Sequence, residues 1–363
     1  MSSLSTPERA TLALIAVLTA LAGLANYETW AAVPRFALAT LALAGLAWVV
    51  SFATEQLGER AGPGLTGLLQ ASLGNLPELL VVVFALQKGE LVVAQTALVG
   101  SIFANALLVL GLVLVVGARR SRDGVMRFSR RLPRDAATLL QVTVFIIVLL
   151  GLSLAAHDPA SHHVQSISVV GAICLLVVYL AWVVPYLRAP AGSAPAPADA
   201  ASVEAQVPGG PRISLRVTLA LLLIGGVASA FVSAWFVNAL APAIDVLDLS
   251  QAFAGLVIVA IAGNAVEHVV GVVLAYRGRA ELAISVVKNS VAQIAAFLFP
   301  ALVLVSLALN TTLTFAIAPV YIGALVLTVL AVAQVTGDGE AAEFEGWALV
   351  ALYVILATVT LYE

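Results

Sequence analysis

Charge is what this sequence has least of. Only 10% of its 363 residues are Asp, Glu, Lys or Arg, where a soluble globular domain carries about 25%. That shortage excludes a water-facing surface over most of the chain. With 62% hydrophobic residues and a mean hydropathy of +1.07, the chain reads as an integral membrane protein whose surroundings are the lipid bilayer. Cysteine is nearly absent. Cys174 stands alone, which excludes an internal disulfide and a cysteine-only metal site. Lying in an apolar run, it reads as a small buried hydrophobe. The N-terminal stretch lacks a basic region and a convincing cleavage site ahead of Asn26. The first apolar run, ATLALIAVLTALAGLA, therefore reads as a spanning helix, not a leader.

Long apolar runs are abundant. A bilayer core of ~30 Å needs ~20 apolar residues in a helix. Eleven such runs lie at about 10–26, 34–54, 62–87, 91–117, 136–156, 164–187, 213–240, 251–276, 280–308, 313–335 and 345–361. Only helices or closed barrels span lipid, and these runs are too long and too uniformly apolar for barrel strands. An all-α polytopic bundle of eleven transmembrane helices is expected.

Basic residues are unevenly placed between the runs. The connection after the fourth, ARRSRDGVMRFSRRLPR, holds seven arginines. Arg60 follows the second run, Arg188, Arg212 and Arg216 the sixth, and Arg277 and Arg279 the eighth; the odd connections carry only Arg35 and Lys88. The positive-inside bias then puts the N-terminus and the even connections in the cytoplasm and the C-terminus on the far side, in a membrane that the Ala-rich composition suggests is the bacterial inner one. The arginines serve orientation, with contact to anionic lipid heads as an extra, and no nucleic-acid partner is expected. One connection fits poorly, since TGDGEAAEFEG after the tenth run is purely acidic.

Residues 189–212, rich in Ala, Pro and Gly, read as a flexible cytoplasmic linker. They divide the chain into a helix at 1–30, five helices in 31–188 and five in 213–363. The two sets of five share a pattern. GNLPEL at 74–79 recurs as GNAVEH at 263–268, an offset of 189 residues. The same offset pairs Asn75 with Asn264, Glu78 with Glu267, Lys88-Gly89 with Arg277-Gly278 and Ser101 with Ser290. Matches at one fixed offset mark an internal repeat. A unit with an odd number of spans re-enters from the opposite side, so the repeats are inverted, with the first helix peripheral to both. Inverted repeats are an architecture of secondary transporters that bind at the midplane.

The residue types suggest the chemistry. Asn and Glu three apart are expected to share one helix face. Each unit thus offers a carboxylate and a carboxamide oxygen near the bilayer centre. Ser101, Asn105, Asn289, Ser290 and Gln293 add neutral groups from the following helices. Two carboxylates plus neutral oxygens suit a hard cation, and Ca2+ takes six to eight such ligands in flexible geometry. Gly74, Gly263 and Pro77 let the helices break there. Two close carboxylates in a low dielectric need two positive charges. One divalent ion or two protons supply them, and each excludes the other, as an exchanger requires. His268 beside Glu267 is a candidate for tuning or proton relay. His157, His162, His163 and Asp158 in AHDPASHH read as a solvated loop, with a transition-metal site as the alternative.

At these motifs the chain resembles the cation/proton exchanger family, the calcium/proton antiporters of the calcium/cation antiporter superfamily. Their signature repeats run Gly-Asn-x-x-Glu, with His commonly following the second Glu; here they are GNLPEL and GNAVEH. The likeness extends over about 50–117 and 250–305, ATEQL at 53–57 included. It implies an eleven-helix fold and exchange of cytoplasmic Ca2+ for protons. Ion and proton binding would fall on Glu78 and Glu267, supported by Asn75, Asn264, Ser101 and Gln293. No cofactor is implied beyond the transported ions. The chain departs from the family at Lys288-Asn289-Ser290-Val291, where a Gly-Ser-Ser run is usual. A lysine there bears on selectivity; it is expected to face the cytoplasmic vestibule or pair with an acid.

Rival readings are weaker. Sodium-driven exchange tends to bring more Ser and Thr around the glutamates than the Leu, Pro, Ala and Val found here; Mn2+, Na+ or K+ are alternative cargoes. A cation channel would use the carboxylates as a filter, but inverted repeats favour alternating access. An intramembrane enzyme lacks a nucleophile–base pair or an HExxH motif.

Overall fold

The computed structural model describes residues 4–61, 73–129, 131–188 and 212–363. Its helices are α1 (Thr6–Tyr27), α2 (Ala32–Ala61), α3 (Leu76–Gln87), α4 (Leu91–Arg120), α5 (Arg131–Ala156), α6 (Val164–Arg188), α7 (Leu215–Leu247), α8 (Gln251–Gly263), α9 (Ala265–Tyr276), α10 (Ala280–Ser306), α11 (Pro319–Thr336) and α12 (Glu343–Leu361). Two short strands, β1 (Val125–Arg127) and β2 (Glu340–Ala342), pair antiparallel. Among the described residues nine helices are long and apolar enough to cross a membrane, or ten if the bent pair α8–α9 is one span; α3 is shorter. The start of the third apolar run and the 189–211 part of the linker lie outside the described residues.

The sequence misplaces one helix start. The tenth run was expected from 313, but α11 begins at Pro319, because Pro fits the first turn of a helix and ends what precedes it. The seventh run also reaches further than expected, to Leu247, passing through Pro242.

Burial sets the layers. Within their most apolar windows α4 is 83% buried and α10 72%, against 22–39% for α1, α5, α6, α7, α11 and α12. So α4 and α10 form the centre and the others face lipid. Cys174 is exposed on α6 beside exposed Ile173 and Val177. This corrects its reading as a buried hydrophobe: in a membrane an apolar run marks the outer face as readily as the core. α1 packs on α2 and α7.

Two crossings need glycine. A Cβ on Gly100 of α4 would lie 2.5 Å from Leu256 Cα of α8, and one on Gly111 would lie 2.6 Å from the Gly346 carbonyl of α12. Small residues let backbones approach in lipid, where packing replaces the hydrophobic effect as the force between helices. α4 also carries a π-helical stretch, Ala104–Val109, and α10 another, Ile294–Leu298; such bulges are frequent at functional sites.

Polar contacts gather at the two ends of the bundle. Arg212 pairs with Glu8 at 2.9 Å and its main-chain N–H donates to Gln56 Oε1. The β ribbon joins the loops after α4 and α11, with Arg119–Glu343 at 2.7 Å and Arg127–Glu340 at 3.5 Å. The Ser129 N–H donates to Glu281 Oε1, which brings in the start of α10. At the other end Lys88 bonds Asn238, Gln251 bonds Glu90, and the Tyr321 hydroxyl donates to Glu363. α4 runs from this end to the ribbon, and α7 from Arg212 to this end, so Glu8 and the ribbon lie at one end and Glu363 at the other. The acidic connection that fitted the charge bias poorly thus lies against the arginine-rich one.

The ribbon carries a pH prediction. The hydrogen bond from Arg127, which also pairs with Glu340, holds the Asp123 carboxyl below its ordinary value. A depressed folded value contributes stability above the unfolded value and loses it as pH falls through the folded one. Amide exchange in β1, corrected for its intrinsic pH dependence, is expected to stay slow through pH ~4 and to quicken only below it. Quickening from pH ~6 downward would contradict these pairings.

Candidate functional site

The site is built at two breaks in the chain. α8 ends at Gly263 and α9 starts at Ala265, with a 62° bend between them. Asn264 is the hinge, at φ −111° and ψ 19°. Its N–H closes α8 on the Ala260 carbonyl and its own carbonyl receives the His268 N–H. Asn75 does the same before α3, at φ −94° and ψ 17°, its carbonyl receiving the Leu79 N–H. Glu78 and Glu267 are each the third residue of the helix that follows. This corrects the expectation that Asn and Glu share one continuous helix face: Asn is the joint, and its amide is turned by the break. Both glutamates sit in a first turn, where the unpaired N–H groups and the helix dipole favour negative charge.

Gly263 explains how the two breaks meet. A Cβ on it would lie 3.3 Å from Glu78 Cβ, so the end of α8 comes directly against the first turn of α3. Glu78 is fully buried there. Its Oε1 receives the Ser101 hydroxyl at 2.5 Å, and its Oε2 lies 3.4 Å from Asn264 Nδ2. Asn264 Nδ2 also donates to Ser101 Oγ at 2.9 Å and to the Ala260 carbonyl. Asn105 Nδ2 donates to the Ser101 carbonyl at 2.9 Å. Glu78, Ser101, Asn105 and Asn264 thus form one cluster from both halves of the chain, and Glu267 lies in the first turn of the helix that follows Asn264. Glu267 is only half-buried.

The amide nitrogens of Asn264 and Asn105 both donate to protein acceptors, and their amide oxygens are left over. The Oδ1 atoms of Asn264 and Asn105 are buried without a hydrogen-bond partner, as is the Ser290 hydroxyl. Unpaired buried acceptors cost about 1–3 kcal/mol each. Beside the Glu78 carboxylate, the two amide oxygens are ligands of the kind a hard cation takes.

The remaining candidates lie outside these hydrogen bonds. Asn75 is buried. Asn289 is buried with its amide 3.4 Å from Ser285 Oγ on its own helix, and Gln293 is half-buried. His268 is half-buried with Nε2 unpaired. Lys288 was expected in a vestibule or beside an acid. It is instead buried, with Nζ 3.0 Å from Thr336 Oγ1 on α11, and among the described residues no ion pair reaches it. At the far end Asp158 accepts from the Ser153 hydroxyl and from the Ala160 and Ser161 N–H groups, so its carboxylate caps a turn.

Sequence reasoning missed Ser229 and Ser233. Both are fully buried on α7 with unpaired hydroxyls, and α7 packs on α2 and α3. Their four-residue spacing in ASAFVSAW was the available signal.

The chain has counterparts among known proteins. Residues 31–186 and 217–362 match the sodium/calcium exchanger protein family. The vacuolar calcium ion transporter of Schizosaccharomyces pombe is 35% identical over 93% of this chain and 82% of its own. The Ca(2+)/H(+) antiporter ChaA of Bacillus subtilis is 28% identical over 95% and 96%. The solved structure of native YfkE superposes with a TM-score of 0.80 at 26% identity, covering 97% of this chain and all of its own. The chain belongs to the sodium/calcium exchanger protein family, and its relatives there include Ca2+/H+ antiporters and cation/proton exchangers.

Proposed function

We propose that this protein is a transporter that exchanges Ca2+ for protons by alternating access, with Glu78 and Glu267 as the groups that hold either the divalent ion or the protons. The observation that carries the reading is the Glu78–Ser101–Asn264 cluster, in which a carboxylate from one half is bonded by a carboxamide from the other. The cluster lies at two helix breaks, beside buried unpaired oxygens. The names of the relatives supply the cargo.

Inverted repeats are supported by features beyond the motifs. α3 and α9 are each 12 residues long and each is followed by a glycine at positive φ, Gly89 and Gly278. The next helices, α4 and α10, both carry π-helical stretches. The halves are unequal in one respect that suits alternating access: Glu78 is shut in and Glu267 is half-buried. In this reading Ca2+ binding bridges the carboxylates, protons displace it, and only a neutralised site crosses between the two states. The arginine-rich end faces the cytoplasm, with the bacterial cell membrane as the setting.

The test is 45Ca2+ uptake into proteoliposomes under an imposed pH gradient with the membrane potential clamped. Uptake that follows the pH gradient and ignores a Na+ gradient is expected. Uptake driven by Na+ and indifferent to pH would replace the proton with sodium. Flux without coupling to either would make the protein a channel.

A further inference from the structure

The π-helical stretch of α10 has a carbonyl to spare. The Phe299 N–H donates to the Ile294 carbonyl, one residue further back than in an α-helix. The next residue is Pro300, which has no N–H to give. The Ala295 carbonyl therefore loses both partners the backbone could supply: Phe299 in an α-helix, Pro300 in a continued π-helix. Ala295 and Pro300 are buried, so the orphaned carbonyl needs a partner from the protein.

Thr143 of α5 fills the gap. Its hydroxyl lies 3.1 Å from the Ala295 carbonyl oxygen and 3.1 Å from that of Leu139 in its own helix. A hydroxyl has one hydrogen to share between them. The Leu139 carbonyl already receives the helical N–H of Thr143, whereas Ala295 has no N–H to receive. Thr143 is itself fully buried. The halves differ here. At the offset of 189 residues Pro300 answers to Gly111 and Thr143 to Val332. Glycine keeps its N–H and valine has no hydroxyl, so the stretch in α4 has neither device.

The stretch begins where the candidate ligands end. Gln293 directly precedes it, and Ser290, buried with an unpaired hydroxyl, stands about one turn earlier. This first part of α10 packs against the π-helical stretch of α4 that carries Asn105. An extra residue in a helical turn rotates one flank by about 100° against the other. The bulge thus decides which side chains of α10 face Asn105.

We propose that Thr143 is a positioning residue for the ion site: with Pro300 it pins the π-helical stretch of α10 and so sets the rotation at which Ser290 and Gln293 are presented to the cation. The inference deepens the transport reading above and rests on it for its purpose. Without the hydroxyl, the Phe299 N–H is drawn back to the Ala295 carbonyl, the α-helix resumes, and Ser290 and Gln293 turn away together. Thr143 itself touches no ion in this scheme.

Two measurements test it on the full chain. Thr143→Val removes the hydroxyl at similar volume, and Thr143→Ser keeps it. Amide exchange over residues 294–299, read by mass spectrometry in detergent, should quicken about tenfold or more in Thr143→Val, the effect of losing one buried hydrogen bond. In Thr143→Ser it should stay within about twofold of the parent. Equilibrium 45Ca2+ binding is the second arm. The half-saturating Ca2+ concentration should rise about fivefold or more in Thr143→Val and return to the parent value in Thr143→Ser. In a background of Ser290→Ala with Gln293→Ala, Thr143→Val should add less than about twofold, because it acts through those two residues. Circular dichroism and melting accompany each variant, so that plain loss of fold is read separately. Unchanged exchange or unchanged Ca2+ binding in Thr143→Val, no rescue by serine, or an equal effect in both backgrounds would overturn the proposal. A parent protein with the expected exchange pattern that neither binds nor moves Ca2+ would sink the transport reading, and the role given to Ser290 and Gln293 with it, while the Thr143 pin on Ala295 stood.

Discussion

Glu78→Gln is expected to abolish pH-driven Ca2+ uptake, by about 100-fold or more, while the protein still folds. The carboxylate is fully buried and receives the Ser101 hydroxyl on one oxygen and the Asn264 amide on the other. Glutamine has the same shape but one oxygen becomes an N–H2 donor. If that donor faces Asn264 Nδ2, two donors oppose; if it faces Ser101, the hydroxyl must turn to accept. One of the two bonds is lost or reversed either way, and such a loss costs about 1 kcal/mol. The charge is the larger loss. A divalent cation at the centre of the membrane would then face one carboxylate where two are needed. Glu267→Gln should lose uptake as fully, although Glu267 is less buried, because the charge count is the same. Melting in detergent should shift by only a few degrees in either variant. Uptake within twofold of the parent in Glu78→Gln would remove this glutamate from the ion path.

Gly100→Leu is expected to do the reverse: to damage the fold first. Even the first carbon of a side chain there would lie 2.5 Å from both the Cα and the carbonyl oxygen of Leu256. Those are backbone atoms of α8, which cannot turn aside as a flexible side chain can. Overpacking by one or two methylenes typically costs about 1–3 kcal/mol. A whole leucine against backbone at the centre of the bundle should exceed that and leave little folded protein. Gly100→Ala is the graded version, expected to lower the melting temperature by several degrees. Since α8 carries Asn264 at its end, any shift of the crossing also moves the amide away from Glu78. An alanine variant as stable and as active as the parent would mean that α4 and α8 are further apart than described.

Much of the site was legible because it is repeated. One offset of 189 residues located Asn75, Glu78 and Ser101 with their partners, and the structure joins Glu78, Ser101 and Asn264. The joint itself was half-legible: glycine and proline marked a place where helices break, but not that Asn264 is the hinge. That depends on the Ala260 carbonyl and the His268 N–H sharing one residue, which a motif does not encode. The partner of Lys288 was not legible at all. Thr336 lies 48 residues away, and no local pattern connects a lysine in one span to the last threonine of another. The lipid-facing position of Cys174 had the same cause, since in a membrane hydropathy no longer tells inside from outside. The acidic loop after α11 looked like an exception to the charge bias until the ribbon placed it against Arg119 and Arg127.

The bond between Glu78 and Asn264 also sets a waiting time. The two residues are 186 apart in the chain. At about 5–20 residues per second a ribosome needs roughly 10–40 s to travel that distance. Through that interval Glu78 is already made and Ser101 soon follows, but the amide that completes the cluster does not yet exist. Neither does Gly346, over which Gly111 is to close. The first half must therefore be kept intact in the membrane with a carboxylate incompletely partnered and a glycine face uncovered. The newborn half-chain, and not the finished protein, is the form most exposed to membrane proteases and most dependent on whatever shelters it at the site of insertion.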